Sequence, residues 1–366
     1  MAAGARPRRP PPRSVARVAL RLRAALLAAA DLVVPAELAV LHHSAGFGTT
    51  RLLGAMVELG VIDALGDRPK TAAELATPLG LHADTLHRAL RALAVTRIVR
   101  LGPDGRFRLG RTGRVLESDR VPSLHHWIRY LNLESTQDGW AAINRSLRTG
   151  EPGFPSVHGR SIWQHFADHP EEERIFAGAM RSFSTLDLPL IVDGYPWPEQ
   201  GTVCDVGGGV GALLAGILEA RPGLRGVCVD ASGVLEEADP FLREAGLRDR
   251  VDLAVGDMFE RVEAEADLYL MRNILHDWDD ERCVRILANV RAAMPEGSRL
   301  VVIEVLQEPN RPDPFASLSD VHMLAETDGG RERSAAELHA LFRRAGLEPG
   351  TVRRTAGPAL IEAIAA

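Results

Sequence analysis

The sequence predicts an α/β protein: an open, mostly parallel sheet with helices on both faces, preceded by an otherwise all-helical region that ends in a winged helix. Three stretches carry this expectation. Residues 201–220 read as strand, glycine turn and apolar helix. Beyond them, short apolar runs alternate with helical patterns to the end of the chain, as in a parallel sheet. Residues 71–109 read as two short helices and a hairpin.

Length and composition agree with that class. A chain of 366 residues can hold two domains, or one domain with a large extension. Hydrophobic residues at 46% and charged residues at 25% are ordinary for a globular protein. The formal charge of −6 gives no overall bias towards nucleic acid or anionic membranes. Cys204, Cys228 and Cys283 are far apart, with neither a disulfide framework nor a zinc spacing, which suits a reducing, cytoplasmic compartment. The longest apolar runs fall short of the roughly 18 residues needed to span a bilayer.

Residues 1–30 are arginine-rich, free of acids and carry prolines at 7, 10, 11 and 12. A transit peptide shares some of these features. A disordered extension is the expectation, with residues 15–30 able to become helical against a partner. From Pro35 to Leu65, positions such as Leu38, Leu41, Phe47, Met56, Ile62 and Leu65 recur at helical spacing. Thr71 and Glu74 form a capping box for a helix Ala72–Pro78. A turn at 79–81 leads to a second helix, His82–Val95, and Val99–Leu109 is a hairpin with Pro103-Asp104-Gly105 at its tip. Winged helices often read DNA with their second helix. Here His82, His87, Arg88 and Arg91, with Arg100, Arg106, Arg108 and Arg111 of the wing, give that reading a basis. The leucines and alanines of 86–95 and the acidic chain favour a packing or dimerising module instead. The domain so read spans residues 31–120.

Residues 121–190 form a helical linker rich in large side chains, among them Trp127, Tyr130, Trp140, Trp163, Phe176, Met180 and Phe183. Such a stripe is more often core, but it also suits the wall of a site for a flat aromatic ligand. Residues 191–366 are the sheet domain. Val203–Val206 is a buried strand, and Gly207, Gly209 and Gly211 turn the chain into the helix Ala212–Ala220. Glycine permits positive φ and lets a ligand lie against bare main chain. The helix start adds unpaired N–H groups. Further strands are expected over Gly226–Asp230, Val251–Val255, Asp267–Met271 and Arg299–Val305, then near 351–355 and 359–363, with helices over 280–294 and 334–345.

In such sheets ligands bind beyond the carboxyl ends of the strands. Asp230, Gly256-Asp257-Met258, Arg272–Trp278 and Glu304 all fall at such ends. Asp230 can accept both hydroxyls of a ribose, in a nicotinamide dinucleotide and in S-adenosylmethionine alike. Asp257 can accept from an adenine amino group while Met258 packs on the ring. His276 follows a strand, and an unperturbed pKa near ~6.5 suits proton removal near neutral pH. Either Glu304 or Glu332 can orient its imidazole. Each feature alone has a structural reading too: a glycine turn, an Asp cap, a histidine before a helix.

Taken together the motifs resemble a family. Asp205-Val-Gly-Gly-Gly-Val-Gly211, Gly256-Asp257-Met258-Phe259, Arg272-Asn-Ile-Leu-His-Asp-Trp278 and Gly329-Gly-Arg-Glu-Arg-Ser334 occur in this order behind a winged helix. In this the chain resembles the S-adenosylmethionine-dependent O-methyltransferases of the caffeate, hydroxyindole and bacterial polyketide-tailoring type, over residues 35–364. The resemblance implies a class I methyltransferase sheet, Rossmann-like, of seven strands with the last antiparallel. It also implies a homodimer formed through the winged-helix domain.

By resemblance, Asp205, Gly207 and Gly209 contact the methionine part of S-adenosyl-L-methionine, Asp230 the ribose, and Gly256, Asp257 and Met258 the adenine. Arg272 and Ser184 lie near the cofactor. His276 is the general base and Glu304 and Glu332 its supporting carboxylates. Met180 and Met323 clamp the acceptor ring, with Trp140, Phe176 and Asp277 beside it. His322 and Asp328 are not general in the family and either tune acceptor choice or simply face solvent. The implied acceptor is a hydroxyl on a small aromatic natural product, with no metal, nucleic acid or membrane involved. Two other classes compete. A nicotinamide oxidoreductase leaves the His276 and Glu332 motifs unexplained. A non-catalytic dimeric scaffold or regulator is opposed by the intact His276, Glu304 and Glu332 set.

Overall fold

The computed structural model describes residues 13–310 and 312–365. Two compact units form, one of residues up to 137 together with 166–183, the other of 138–165 and 184 onwards. The stretch 121–190, expected as one linker, divides between them.

The first unit opens with the helices Arg13–Leu32, Ala36–Ser44, Gly46–Glu58 and Val61–Leu65. Residues 13–30 of the extension expected to be disordered are thus helical, and residues 1–12 lie outside the described residues. The periodic apolar residues that follow split into two groups. Met56, Ile62 and Leu65 are buried, whereas Leu38, Leu41 and Phe47 remain 45%, 61% and 73% exposed. Periodicity reports an apolar face but not what covers it, and the chain's own core covers only the later part.

The winged helix forms as read. Glu74 N–H donates to Thr71 Oγ1 and Thr71 N–H to Glu74 Oε2, closing the capping box of the helix Ala72–Leu79. The second helix is Ala83–Val95, one residue shorter than expected, because the His82 ring caps it by accepting from Thr85 N–H. Strands β1 (Val99–Leu101) and β2 (Phe107–Leu109) pair antiparallel as the wing. Leu86, Leu90 and Leu93 of the second helix join Val99, Phe107 and Leu109 in one core, which is why that helix face is apolar.

Among the described residues one helix, Pro170–Val192, is long and apolar enough to cross a membrane by length and composition alone. Within the first unit its aromatic residues pack on protein: Phe176 on Tyr130 and Phe183 on Trp127, with ring centroids 5.4 and 4.7 Å apart.

The second unit is built on strands β3 (Gly201–Val206), β4 (Leu224–Asp230), β5 (Val251–Val255), β6 (Leu268–Arg272), β7 (Arg299–Glu304), β8 (Leu347–Arg354) and β9 (Ala359–Ala365). Their order is β5-β4-β3-β6-β7-β9-β8. The β3, β4, β5, β6 and β7 pairings are parallel, and β9 runs antiparallel to both neighbours, as expected of the last strand. β6 and β7 are nearly continuous apolar runs because both faces of a parallel sheet are covered. β8 starts earlier than expected, since Pro349 and a register irregularity are tolerated on an edge strand. From β3 the chain builds outward through β4 and β5, then resumes on the other side with β6 and β7. Ligands bind at such a switch point.

Candidate active site

The glycine turn follows β3 directly. Gly207, Gly209 and Gly211 have φ of 71°, 59° and 80°. A Cβ at Gly207 would stand 2.5 Å from Ile274 Cδ1, so the loop after β6 packs on this main chain. A Cβ at Gly209 would meet nothing within 4 Å. Open space therefore lies beside bare backbone at Gly209. Its N–H donates to Asp230 Oδ2 at 2.8 Å, and Ala231 N–H donates to Oδ1 at 2.8 Å. These bonds hold the Asp230 carboxylate at the end of β4. Burial raises its pKa while both backbone donors oppose that rise.

Asp205 is buried in β3, and burial pushes its carboxyl up to about 7 against the pull of Arg272. Arg272 ends β6. Its Nη1 donates to Ser184 Oγ at 2.7 Å and its Nη2 to Asp187 Oδ2 at 3.1 Å. Asp187 escaped the sequence reading, although it lies one helical turn beyond Ser184. The Arg272 Nε is buried and has no hydrogen-bond partner among the described residues. At the end of β5, Gly256 N–H donates to Asp230 O, Asp257 is exposed and accepts from Phe259 N–H, and Met258 is half-buried.

The second cluster surrounds His276, in the turn Leu275–Asp277 after β6. Its Nδ1 lies 3.0 Å from Glu332 Oε1, the ring donating to the carboxylate. The Ser319 hydroxyl donates to the same oxygen at 2.6 Å. Glu304 does different work. Its Oε1 accepts from Ile274 N–H and Leu275 N–H at 3.1 and 2.9 Å, while its Oε2 is 3.9 Å from His276 Nδ1. Glu332 thus orients the imidazole, and Glu304 holds the backbone that carries it.

Two further residues fix this turn. Arg333, buried, donates to Leu275 O and Trp278 O, both at 2.7 Å, and to Asp280 Oδ1. Gly330 lies so close beneath the turn that a Cβ there would stand 2.3 Å from His276 O. Arg333 was quoted within a motif but given no role, because nothing in its spacing shows that it reaches back more than fifty residues to these carbonyls.

The charges are coupled. Burial alone would lower the pKa of His276, but Glu332, Asp277 and Glu304 outweigh it and raise it to about 10. Burial pushes Glu304 up to about 7 and Asp277 up to about 6, in both cases against the attraction of His276. Asp277 Oδ1 lies 3.6 Å from His276 Nε2.

The helix Pro314–Glu326 carries Met323 and His322 past this cluster. Trp140 Nε1 donates to His322 Nδ1 at 3.1 Å, and burial lowers His322 to about 4. Asp328 pairs through its backbone with Trp278, and its carbonyl accepts from Arg282. Met180 and Phe176 belong to the first unit.

Comparison with known proteins accords with this arrangement. Residues 140–348 match the O-methyltransferase domain family, and residues 41–119 match the O-methyltransferase dimerisation domain. The O-demethylpuromycin-O-methyltransferase of Streptomyces alboniger is 37% identical over 318 residues, 85% of this chain and 84% of the relative. The solved structure of LaPhzM is 33% identical with a TM-score of 0.86, covering 90% of this chain and 99% of that one. The S-adenosylhomocysteine-bound calicheamicin methyltransferase CalO1 is 33% identical with a TM-score of 0.78, covering 90% and 98%. This chain belongs to the O-methyltransferase family, and its cofactor is S-adenosyl-L-methionine.

Proposed function

We propose that this enzyme methylates a hydroxyl of a small aromatic, natural-product-like acceptor with His276 as general base. The observation that carries the reading is the hydrogen bond from His276 Nδ1 to Glu332 at 3.0 Å. It commits the ring proton to Nδ1 and leaves Nε2 to take the acceptor's proton. When the acceptor hydroxyl gives up its proton, the O–H pair stays on oxygen and the proton moves to His276 Nε2.

The bare main chain at Gly209, with Gly207 and Asp205, would receive the methionine part of the cofactor. The fixed carboxylate of Asp230 suits the ribose, and Gly256, exposed Asp257 and half-buried Met258 suit the adenine. Arg272, tethered by Ser184 and Asp187, supplies a buried cation near Asp205. When bound, the cofactor supplies a methyl group already activated by a sulfonium cation. The protein's share is alignment and proton removal, the latter worth a factor of about 10²–10⁴. Trp140, Met323 and Asp277 are assigned to the acceptor.

The working form proposed is a cytoplasmic homodimer without nucleic acid or membrane. The match to a dimerisation domain and the free, buried cysteines support it. So does the winged helix, where His82 is a helix cap and Arg106 pairs with Glu74. Turnover of hydroxyaromatic acceptors with a labelled methyl donor tests the whole reading. Methyl transfer that persists in H276A at near wild-type rate would sink the base assignment.

A metal reading has two observations in its favour. Glu304 Oε2 and Glu332 Oε2 are buried and have no hydrogen-bond partner among the described residues. Ligand atoms of His276, Glu304 and Glu332 lie within 4.8 Å of one another. Against it, Glu304 Oε1 holds two backbone N–H groups and Glu332 Oε1 holds the ring and Ser319. Turnover is expected to survive exhaustive chelation, and loss restored by a divalent cation would favour the metal.

A further inference from the structure

The helix Pro314–Glu326 sets Ser319, His322, Met323 and Glu326 on one face, at the i, i+3, i+4 and i+7 spacing. Ser319 touches the base machinery through Glu332. His322 accepts from Trp140 at Nδ1, so its own ring proton sits on Nε2. The last member of the face, Glu326, has no place in the chemistry above. Its side chain is 1% exposed, and neither carboxyl oxygen has a hydrogen-bond partner among the described residues. A Cβ at Gly139 would stand 2.9 Å from Glu326 Oε1, so the missing side chain at Gly139 leaves room for this carboxyl. Gly139 neighbours Trp140, which holds His322. One short segment therefore serves two members of the same helix face.

An unpaired buried polar group is disfavoured unless something completes it. Burial also raises the Glu326 pKa well above the ordinary carboxyl value, which favours the protonated form, and a protonated carboxyl has one O–H to donate. Ser319 and Glu326 are separated by seven residues, or roughly 10 Å of helix. Ser319 marks the base end of this face through Glu332, so an acceptor held at both ends would be longer than a single phenol ring, as two fused rings are.

We propose that Glu326 is the remote anchor of the acceptor site, donating to a carbonyl oxygen on a fused aromatic acceptor whose reacting hydroxyl lies on the opposite ring, beside His276. Glu326 acts as a specificity residue, and the proposal rests on the reading of His276 as the base.

The test compares 6-hydroxy-1,4-naphthoquinone with 2-naphthol, which lacks the carbonyl. Their affinities for the protein saturated with S-adenosylhomocysteine are measured by calorimetry, so no turnover is needed. Wild type is expected to favour the quinone by about tenfold or more, as a site built to hydrogen-bond a group rejects its analogue. E326L should shrink that preference below about twofold, and E326Q, whose amide can still donate, should retain most of it. Where turnover is seen, the loss in E326L should appear in KM for the quinone. Thermal unfolding separates a structural role: a lower midpoint in E326L with the preference intact would overturn the proposal. Equal affinities in wild type, or no binding of either probe, would overturn it as well. The base reading fails separately, by undiminished turnover in H276A.

Discussion

At neutral pH the carboxylates around His276 favour its protonated form, and an imidazolium cannot accept a hydroxyl proton. With a raised value of about 10, the neutral fraction of His276 grows as pH rises from neutral into the alkaline range. Turnover should therefore climb over that interval. Among the charges that favour the proton, Glu332 acts most strongly. E332Q removes it, so the rising limb of kcat/KM should move to lower pH while the plateau falls with the loss of ring orientation. A limb displaced to higher pH would contradict the electrostatic account. H276A should lose about 10²–10⁴ in kcat with cofactor affinity unchanged, read by turnover and calorimetry side by side. Much of this site was legible in the sequence. His276, Glu304, Asp230 and Asp257 stand at strand ends, where chain position alone marks them. The division of labour between Glu304 and Glu332 was not legible, because it depends on which oxygen meets a ring and which meets two backbone N–H groups.

Among the elements, the segment 329–334 supports the turn that carries His276 from below. Gly330 has no room for a side chain under His276 O, and Arg333 ties down the carbonyls of Leu275 and Trp278. G330A should cost about 1–3 kcal/mol of stability, the range for overpacking, and should lower kcat by displacing the base. Chemical denaturation with turnover at matched temperature checks both effects. A variant of wild-type stability and rate would mean that the turn shifts freely. The glycine turn makes a parallel prediction for the cofactor. D230A removes a charged acceptor that also orders Gly209 and Ala231, so affinity should fall about 10- to 100-fold, matching 1.5–3 kcal/mol for a charge-assisted bond. Isothermal titration with S-adenosylmethionine measures it. The strand–turn–helix order announced this element plainly. The closeness of Gly330 to a turn far along the chain left no periodic trace.

For the whole molecule, the unburied apolar residues of the first unit are the main consequence. Leu38, Leu41 and Phe47 lie exposed on successive helices, at or beside the segment that matches the dimerisation domain. Burying such side chains against a second copy would contribute about 25 cal/mol per Å² removed from water. The enzyme should sediment as a dimer, and L41D combined with F47D should shift it towards monomer. A dimer unaffected by the pair would move the interface elsewhere.

Sequence by itself determined the alternation of strands and helices, the winged helix and the kinds of residue at each strand end. These follow from periodicity, glycine placement and capping, all of which act within a few residues. Only the tertiary structure decided which carboxylate holds His276, that Arg333 and Gly330 carry its turn, and that Glu326 is buried without a hydrogen-bond partner among the described residues. It also decided that half of one apolar stripe finds no cover among the described residues. Those outcomes depend on contacts between distant segments, where packing and electrostatics act across the fold and leave no local pattern to read.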